Sequence, residues 1–327
     1  MFDPVPWFVG GGAEHSPEVA RLLAYAATNG SSGIVGAGDC NVTALPVPGG
    51  AIRASTGGVV IPNKYAGGSQ QTYIARSASV TDVAIAPTTS SGGRTDLIIA
   101  RIDDPQYGGT APVDPTVGPY VRVDVIQNVS SAITDIPVLT YPAIALARVT
   151  IPVSTATITQ GMITDLRNMA NPRRQRSLNT LNLTATEVQT SVDPTDGEQW
   201  PNEAGWSVQV PTWATQVRIR ADWGQVIVPP GSADGFLWVQ IGLNTESDRV
   251  ITQRVNYNTP DATSYQRSSY ICADTRPIPA TMRGTVRLVN LRAYLASGLA
   301  AARISVNGAS AVVCDLEFLE APAQDVT

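Results

Sequence analysis

The stretch Asp193-Pro194-Thr195-Asp196-Gly197-Glu198-Gln199-Trp200-Pro201-Asn202-Glu203 holds the densest set of groups able to do chemistry, four carboxylates beside a tryptophan. Three uses fit it. An oxygen-rich loop can hold Ca²⁺, which would draw on Asp193, Asp196 and Glu198. Two carboxylates set across a sugar make the acid pair of a glycosidase, for which Asp193, Asp196, Glu198 and Glu203 are the candidates. The third use is a solvated acidic loop without a ligand. That is the ordinary expectation, because the spacing does not match the EF-hand loop.

Other catalytic material is scarce. His15 is the only histidine, it sits just before a helix cap, and no Ser or Cys motif lies near enough in sequence to pair with it. Cys40, Cys272 and Cys314 are odd in number and far apart, with no CxxC pair. Their spacing excludes an ordinary zinc site and argues against a disulfide framework. The runs Gly10-Gly11-Gly12 and Gly33-Ile34-Val35-Gly36-Ala37-Gly38 lack the G-x-x-x-x-G-K-[ST] pattern and read as turns and close-packed backbone. No cofactor is implied, and the chain reads as non-catalytic.

Binding is the better-supplied chemistry. Trp200, Trp206, Trp213, Trp223 and Trp238, five of the six tryptophans, lie in one part of the chain. Trp223 falls in phase with apolar positions and reads as core, whereas Trp200 and Trp206 stand in polar, turn-rich surroundings. Exposed aromatic faces stack on the C–H faces of sugars, so Trp200, Trp206, Tyr265 and Tyr270 are the expected glycan or receptor contacts. Core or subunit-interface packing is the competing use of the same rings.

The elements that must position these residues follow from composition and pattern. A chain of 327 residues fits two domains of ordinary size. It is 43% hydrophobic and only 15% charged, against about 25% in an average globular protein. Its surface must therefore be rich in Ser, Thr, Asn, Gln, Gly and Pro, which suits sheets and close packing against partners. The net charge is −5, and residues 177–327 carry 10 arginines against 15 acids. Neither half is a basic phosphate-binding surface, so nucleic acid is not an expected partner. The N-terminus has no basic and apolar leader, and no run approaches about 18 apolar residues. The expectation is a chain made in the cytosol with no membrane insertion.

Ser16 as N-cap, Pro17, Glu18, and Val19, Leu22, Leu23 and Ala26 at helical spacing predict a first helix ending at Asn29-Gly30. Strands follow. Leu97 to Ile102 and Ala143 to Ile151 are continuous apolar runs, as in strands covered on both faces, while Tyr120 to Ile126 alternates. A second short helix is expected over 159–169, with Met162, Ile163, Leu166 and Met169 as its apolar stripe. Residues 171–181, which include Arg173, Arg174 and Arg176, read as a solvated linker. Beyond it Val217, Ile219, Ala221 and Trp223 alternate with Arg218, Arg220 and Asp222, and Leu237 to Leu243 and Cys314 to Phe318 repeat the pattern. The fold class is thus mainly β. An N-terminal β-rich domain with two short helices spans 1–170, and a C-terminal β-sandwich or jelly roll spans 182–327.

The N-terminal half also resembles a known family. The residues that carry the likeness are Ala44-Leu45-Pro46-Val47-Pro48-Gly49-Gly50 leading into Gly57-Gly58-Val59-Val60-Ile61-Pro62, then Gln71-Thr72-Tyr73-Ile74-Ala75-Arg76. Gly93-Arg94-Thr95-Asp96-Leu97-Ile98-Ile99-Ala100-Arg101-Ile102-Asp103-Asp104-Pro105 follows, then Ala145-Leu146-Ala147-Arg148-Val149, and Ile163-Thr164-Asp165-Leu166-Arg167. In order and spacing, residues 15–170 resemble the minor tail proteins of siphophages, particularly those infecting actinobacteria. The resemblance implies a virion component of the tail tip or baseplate, assembled in the host cytoplasm and docked on other tail proteins through residues 1–170. It also implies a homotrimer, for which Met162, Leu166 and Met169 would be contacts, with packing back on their own domain as the alternative. The distal domain would contact a host-surface glycan or envelope component. The rival function is a tail-associated hydrolase of cell-wall glycan or ester.

Overall fold

The structure, a computed structural model, describes residues 16–108, 116, 118–296 and 302–322. The fold is mainly β, built from antiparallel sheets, with one α-helix among the described residues. The chain divides into two compact units, residues 1–172 with 322–327, and residues 173–321.

The helix of the first unit, Pro17–Thr28, begins and ends as the sequence predicts. The Val19 amide donates to Ser16 Oγ at 3.3 Å, and Asn29 closes the helix in the left-handed conformation at φ 51°. Its apolar stripe does not enter a core, however: Leu22 is 45% exposed and Leu23 48%. A polar residue holds it instead. Arg21 donates to Gln71 Oε1 at 2.6 Å, to Gln106 Oε1 at 2.7 Å and to Asp104 Oδ2 at 3.3 Å, and its guanidinium lies over the Tyr73 and Tyr107 rings.

The centre of this unit is a four-stranded sheet in which Arg94–Ile102 pairs with both Ala143–Ile151 and Val121–Ile126. Ile98, Ala100 and Ile102 join one buried cluster, and Leu97 and Ile99 join a second on the opposite face. That two-sided burial is what the unbroken apolar runs require. Val121, Val123 and Val125 pack on the first cluster from one face of their alternating strand.

The expected second helix is absent. Residues 160–162 form a single 3₁₀ turn, and Ile163–Asp165 is a strand paired with Val149, Arg148 and Ala147. Thr159 makes no capping hydrogen bond, Gly161 weakens helix, and Ile163 and Thr164 are β-branched, so pairing with a preformed strand wins. Met162 and Met169 are partly buried against one core cluster of their own unit and Leu166 against the other, as in the alternative of packing back on their own domain.

The stretch read as a linker is also structured. Arg174–Leu181 is a strand paired with Ala311–Leu319 over eight residues. Arg176 reaches Asp315 at 2.6 Å and Arg173 reaches Glu320 at 2.6 Å. The acids that neutralise this basic run stand far along the chain, so a local reading sees only unpaired charge.

The second unit is a sandwich of two six-stranded antiparallel sheets around one apolar cluster. In the first sheet Gln216–Val228 is central, with Ala311–Leu319 and then Ser305–Val306 along one edge and Gln266–Pro277 along the other. In the second, Gly231–Ile241 pairs with Val286–Leu295 and Val255–Ala262. Trp223, Leu316, Cys314, Leu237, Val239 and Leu291 all meet in the shared core.

Candidate functional site

The acidic loop is a strap engaged by arginines. Arg254 donates to the carbonyl oxygens of Pro194 and Thr195 at 2.6 and 2.8 Å. Arg292 donates from Nη2 to the Asp196 carbonyl at 2.6 Å, and Arg249 pairs with the Asp196 carboxylate at 3.2 Å. Burial lowers the pKa of Arg292 below the ordinary arginine value, although nearby carboxylates oppose that shift. Gly197, at φ 61°, sits against Trp238, where a Cβ would fall 2.4 Å from the ring.

The carboxylates do not converge. Asp193 accepts from the Thr195 amide at 2.8 Å, while Glu198 turns back to accept from Thr190 Oγ1 at 2.7 Å and the Ser191 amide at 2.9 Å. Glu203 is exposed. Among the described residues no group of three or more His, Cys, Asp or Glu side chains is placed to hold a metal ion, which corrects the Ca²⁺ reading of Asp193, Asp196 and Glu198. Three of the loop's backbone carbonyls and the side chains of Asp196 and Glu198 are all engaged by the sandwich.

The aromatic expectations divide sharply. Trp200 is 1% exposed and belongs to the core, with its carbonyl accepting from Trp223 Nε1 at 3.4 Å. Trp206 is half-buried against the same core, and Tyr270 is half-buried with its ring 5.9 Å from that of Tyr257. Turn-rich surroundings misled the reading of Trp200: its amide donates to the Leu291 carbonyl beside the Val286–Leu295 strand, and its ring belongs to the core. Only Tyr265, 73% exposed, stands free for a ligand among the four. His15 and the Gly10–Gly12 run lie outside the described residues. Gly33 bears out the close-packing reading, since a Cβ there would lie 2.0 Å from the Asn168 carbonyl oxygen.

Tyr265 borders a cleft of about 590 Å³ whose floor is fixed by strand register. Val188 lies opposite Ser305, Ser305 opposite Ile227, and Ile227 opposite Arg267, so one row crosses four strands of the first sheet. Directly opposed residues share a face, so these four side chains line the same surface. Beyond the row, where the strands stop, Pro229, Tyr265 and Arg303 complete the wall, and Thr186 and Gln266 stand at the edges.

A bulge creates this arrangement. Up to Trp223 the odd-numbered residues of the Gln216–Val228 strand face the core, but Val226 and Val228 are buried and Ile227 is not. Between Trp223 and Val226 two residues, Gly224 and Gln225, oppose one on the partner strand, and Gln225 takes φ 58°. The extra residue reverses the parity and turns Ile227 outward. It also places the Gln225 carbonyl, which accepts from Arg267 Nη1 at 2.8 Å; Arg267 Nη2 reaches Asn307 Oδ1 at 3.3 Å. Sequence reasoning missed Arg267, Arg303, Val188 and Ile227. The break in alternation after Trp223, with valine at 226 and 228, was the available signal.

No protein-family model and no curated relative matches the chain. Solved structures align over most of its length but loosely. A structure of infectious bursal disease virus, Gx strain, aligns at 9% identity and a TM-score of 0.26, covering 90% of this chain and 80% of that one. The VP2 subviral particle of the same virus aligns at 10% identity and 0.23, covering 89% and 78%. A tandem CBM22 domain of Paenibacillus barcinonensis Xyn10C aligns at 8% identity and 0.21, covering 86% and 99%. Similarity this loose carries no inference about what the chain does.

Proposed function

We propose that the chain is a non-catalytic structural protein of a phage tail tip, whose second unit binds a saccharide of the host surface in the Tyr265 cleft. The observation that carries the binding reading is Tyr265 itself: a ring 73% exposed beside a cleft that also presents hydroxyl, amide and guanidinium groups. An aromatic face supplies the apolar platform for a sugar ring, and the surrounding donors set its orientation.

The resemblance of residues 15–170 to siphophage minor tail proteins supports the tail-tip assignment. On that reading the first unit docks on other tail proteins, and the exposed Leu22, Leu23, Val47 and Val138 are consistent with contact surfaces in an assembly. Assembly as a homotrimer belongs to the same proposal. Several copies on one particle would convert weak single-site affinity into firm attachment.

The test uses the full chain, fluorescently labelled and multimerised on a bead, applied to actinobacterial cells and to purified cell-wall polysaccharide. Wild type should decorate them and Tyr265→Ala should not. Equal decoration by both would remove the cleft from the reading, and no decoration by either would leave a purely structural protein. Sedimentation of the isolated chain as a stable monomer at micromolar concentration would count against the homotrimer.

A further inference from the structure

We infer that Val138 and the groove beside it form the surface on which copies of this chain meet: Val138 of one copy enters the groove of the next, and Lys64 of one faces Asp135 of the other. The inference rests on the homotrimer reading above. It supplies a contact in place of Met162, Leu166 and Met169, which are partly buried against their own unit. Val138 is fully exposed, more so than any other large apolar residue described. A lone exposed apolar residue is ordinary; one held in place beside an apolar recess is what an interface requires.

The chain around Val138 is anchored. Ile136 and Leu139, on its two sides, pack on a core cluster of the first unit, as do Ile133 and Tyr141. Pro137 restricts the backbone between those anchors. The Ile136 amide donates to Asp135 Oδ1 at 2.7 Å, Arg148 Nη1 donates to the Ile133 carbonyl at 3.0 Å, and the Arg101 guanidinium lies 3.8 Å over the Tyr141 ring. A side chain presented on so fixed a frame gives up little further freedom when a partner covers it. Beside it lies a groove of about 410 Å³, to which Pro62, Ile136, Leu139 and Tyr141 contribute apolar wall and Lys64 and Asp135 opposite charges. Neither charge is in an ion pair among the described residues. One surface thus holds both halves of a contact, an apolar projection with an apolar recess and a cation with an anion. A partner of unrelated sequence would need all four features supplied anew, whereas an identical copy already carries them. Repeated about a three-fold axis, the contact uses each Val138 and each groove once.

Sedimentation of the full chain at micromolar concentration should give a trimer that loosens with added salt. Val138→Asp should weaken association by about tenfold or more. Its melting temperature should stay that of wild type, because the side chain is fully exposed. Lys64→Asp, which sets like charges together, should weaken association by about threefold, and Lys64→Asp combined with Asp135→Lys should restore it. Restoration decides the matter, since a second substitution does not undo a general loss of fold. A wild-type trimer indifferent to every variant would overturn the contact and leave the homotrimer standing on another face. Sensitivity to Val138→Asp without restoration by the charge exchange would overturn the pairing of Lys64 with Asp135. A wild-type dimer that Val138→Asp dissociates would support the contact and overturn the three-fold order. A stable wild-type monomer would overturn both the contact and the homotrimer.

Discussion

Gln225 presents its carbonyl oxygen 2.8 Å from Arg267 Nη1 while holding a left-handed backbone at φ 58°. A non-glycine residue in that region costs about 1–2 kcal/mol relative to the right-handed one. Gln225→Gly should therefore leave stability within about 1 kcal/mol of wild type, and the β-branched Gln225→Val should lower it by about 1–2 kcal/mol. Urea unfolding of the two variants checks the order. Equal loss in both would mean that the bulge conformation is not the source.

The fates of the aromatics make a second contrast. Trp200 fills the core at 1% exposure, and truncating such a ring to alanine costs about 3–5 kcal/mol. Tyr265, 73% exposed, should tolerate alanine within about 0.5 kcal/mol. Calorimetric melting of Trp200→Ala and Tyr265→Ala reads both, and comparable losses would contradict the assignment of Trp200 to core and Tyr265 to surface.

Acid sensitivity should trace to Glu320. A hydrogen bond from the Arg173 side chain, against the opposing effect of burial, holds its carboxyl below the ordinary value of 4.5. A depressed folded-state value means that the contribution is complete above the ordinary carboxylate range and disappears as pH falls through the folded value. Glu320→Gln should thus be less stable than wild type at pH 7, with the gap closing below about pH 4. A gap that stays constant across that range would assign the loss to packing instead of ionisation.

The strap over the second sheet gives a fourth expectation. Arg254 lies 4.4 Å over the Trp238 ring and donates to two carbonyls, so Arg254→Ala removes a cation–π contact and leaves both acceptors short of a partner. A loss of about 1–3 kcal/mol follows. Hydrogen exchange should locate the loosening at residues 193–197. Unchanged protection there would show that Arg292 and Arg249 hold the strap without it.

Much of the fold was legible because its signals are local or strictly periodic. Ser16, Pro17 and Asn29-Gly30 marked both ends of the helix, and unbroken apolar runs foretold the two-sided burial of Leu97 to Ile102. What the sequence hid depends on partners distant in the chain. Arg176 looked solvated because Asp315 is 139 residues away. Met162 to Met169 looked helical because apolar spacing alone cannot reveal a waiting strand edge at Ala147 to Val149. The cleft was hidden twice over, by a one-residue change of parity and by a row of residues drawn from four separate strands. Of the cleft's residues the sequence singled out Tyr265 alone, and only as one of four aromatics, of which Trp200 proved to be core.

Arg254 grips the carbonyl oxygens of residues 194 and 195, which every amino acid possesses. Pro194 and Thr195 point outward, and nothing in the grip depends on what side chain either one carries. Gly197 has no such freedom, because Trp238 occupies the space of a Cβ. The strap can thus keep its shape while the chemistry displayed at 194 and 195 is rewritten, giving a lineage a patch of surface open to drift on an unchanging frame.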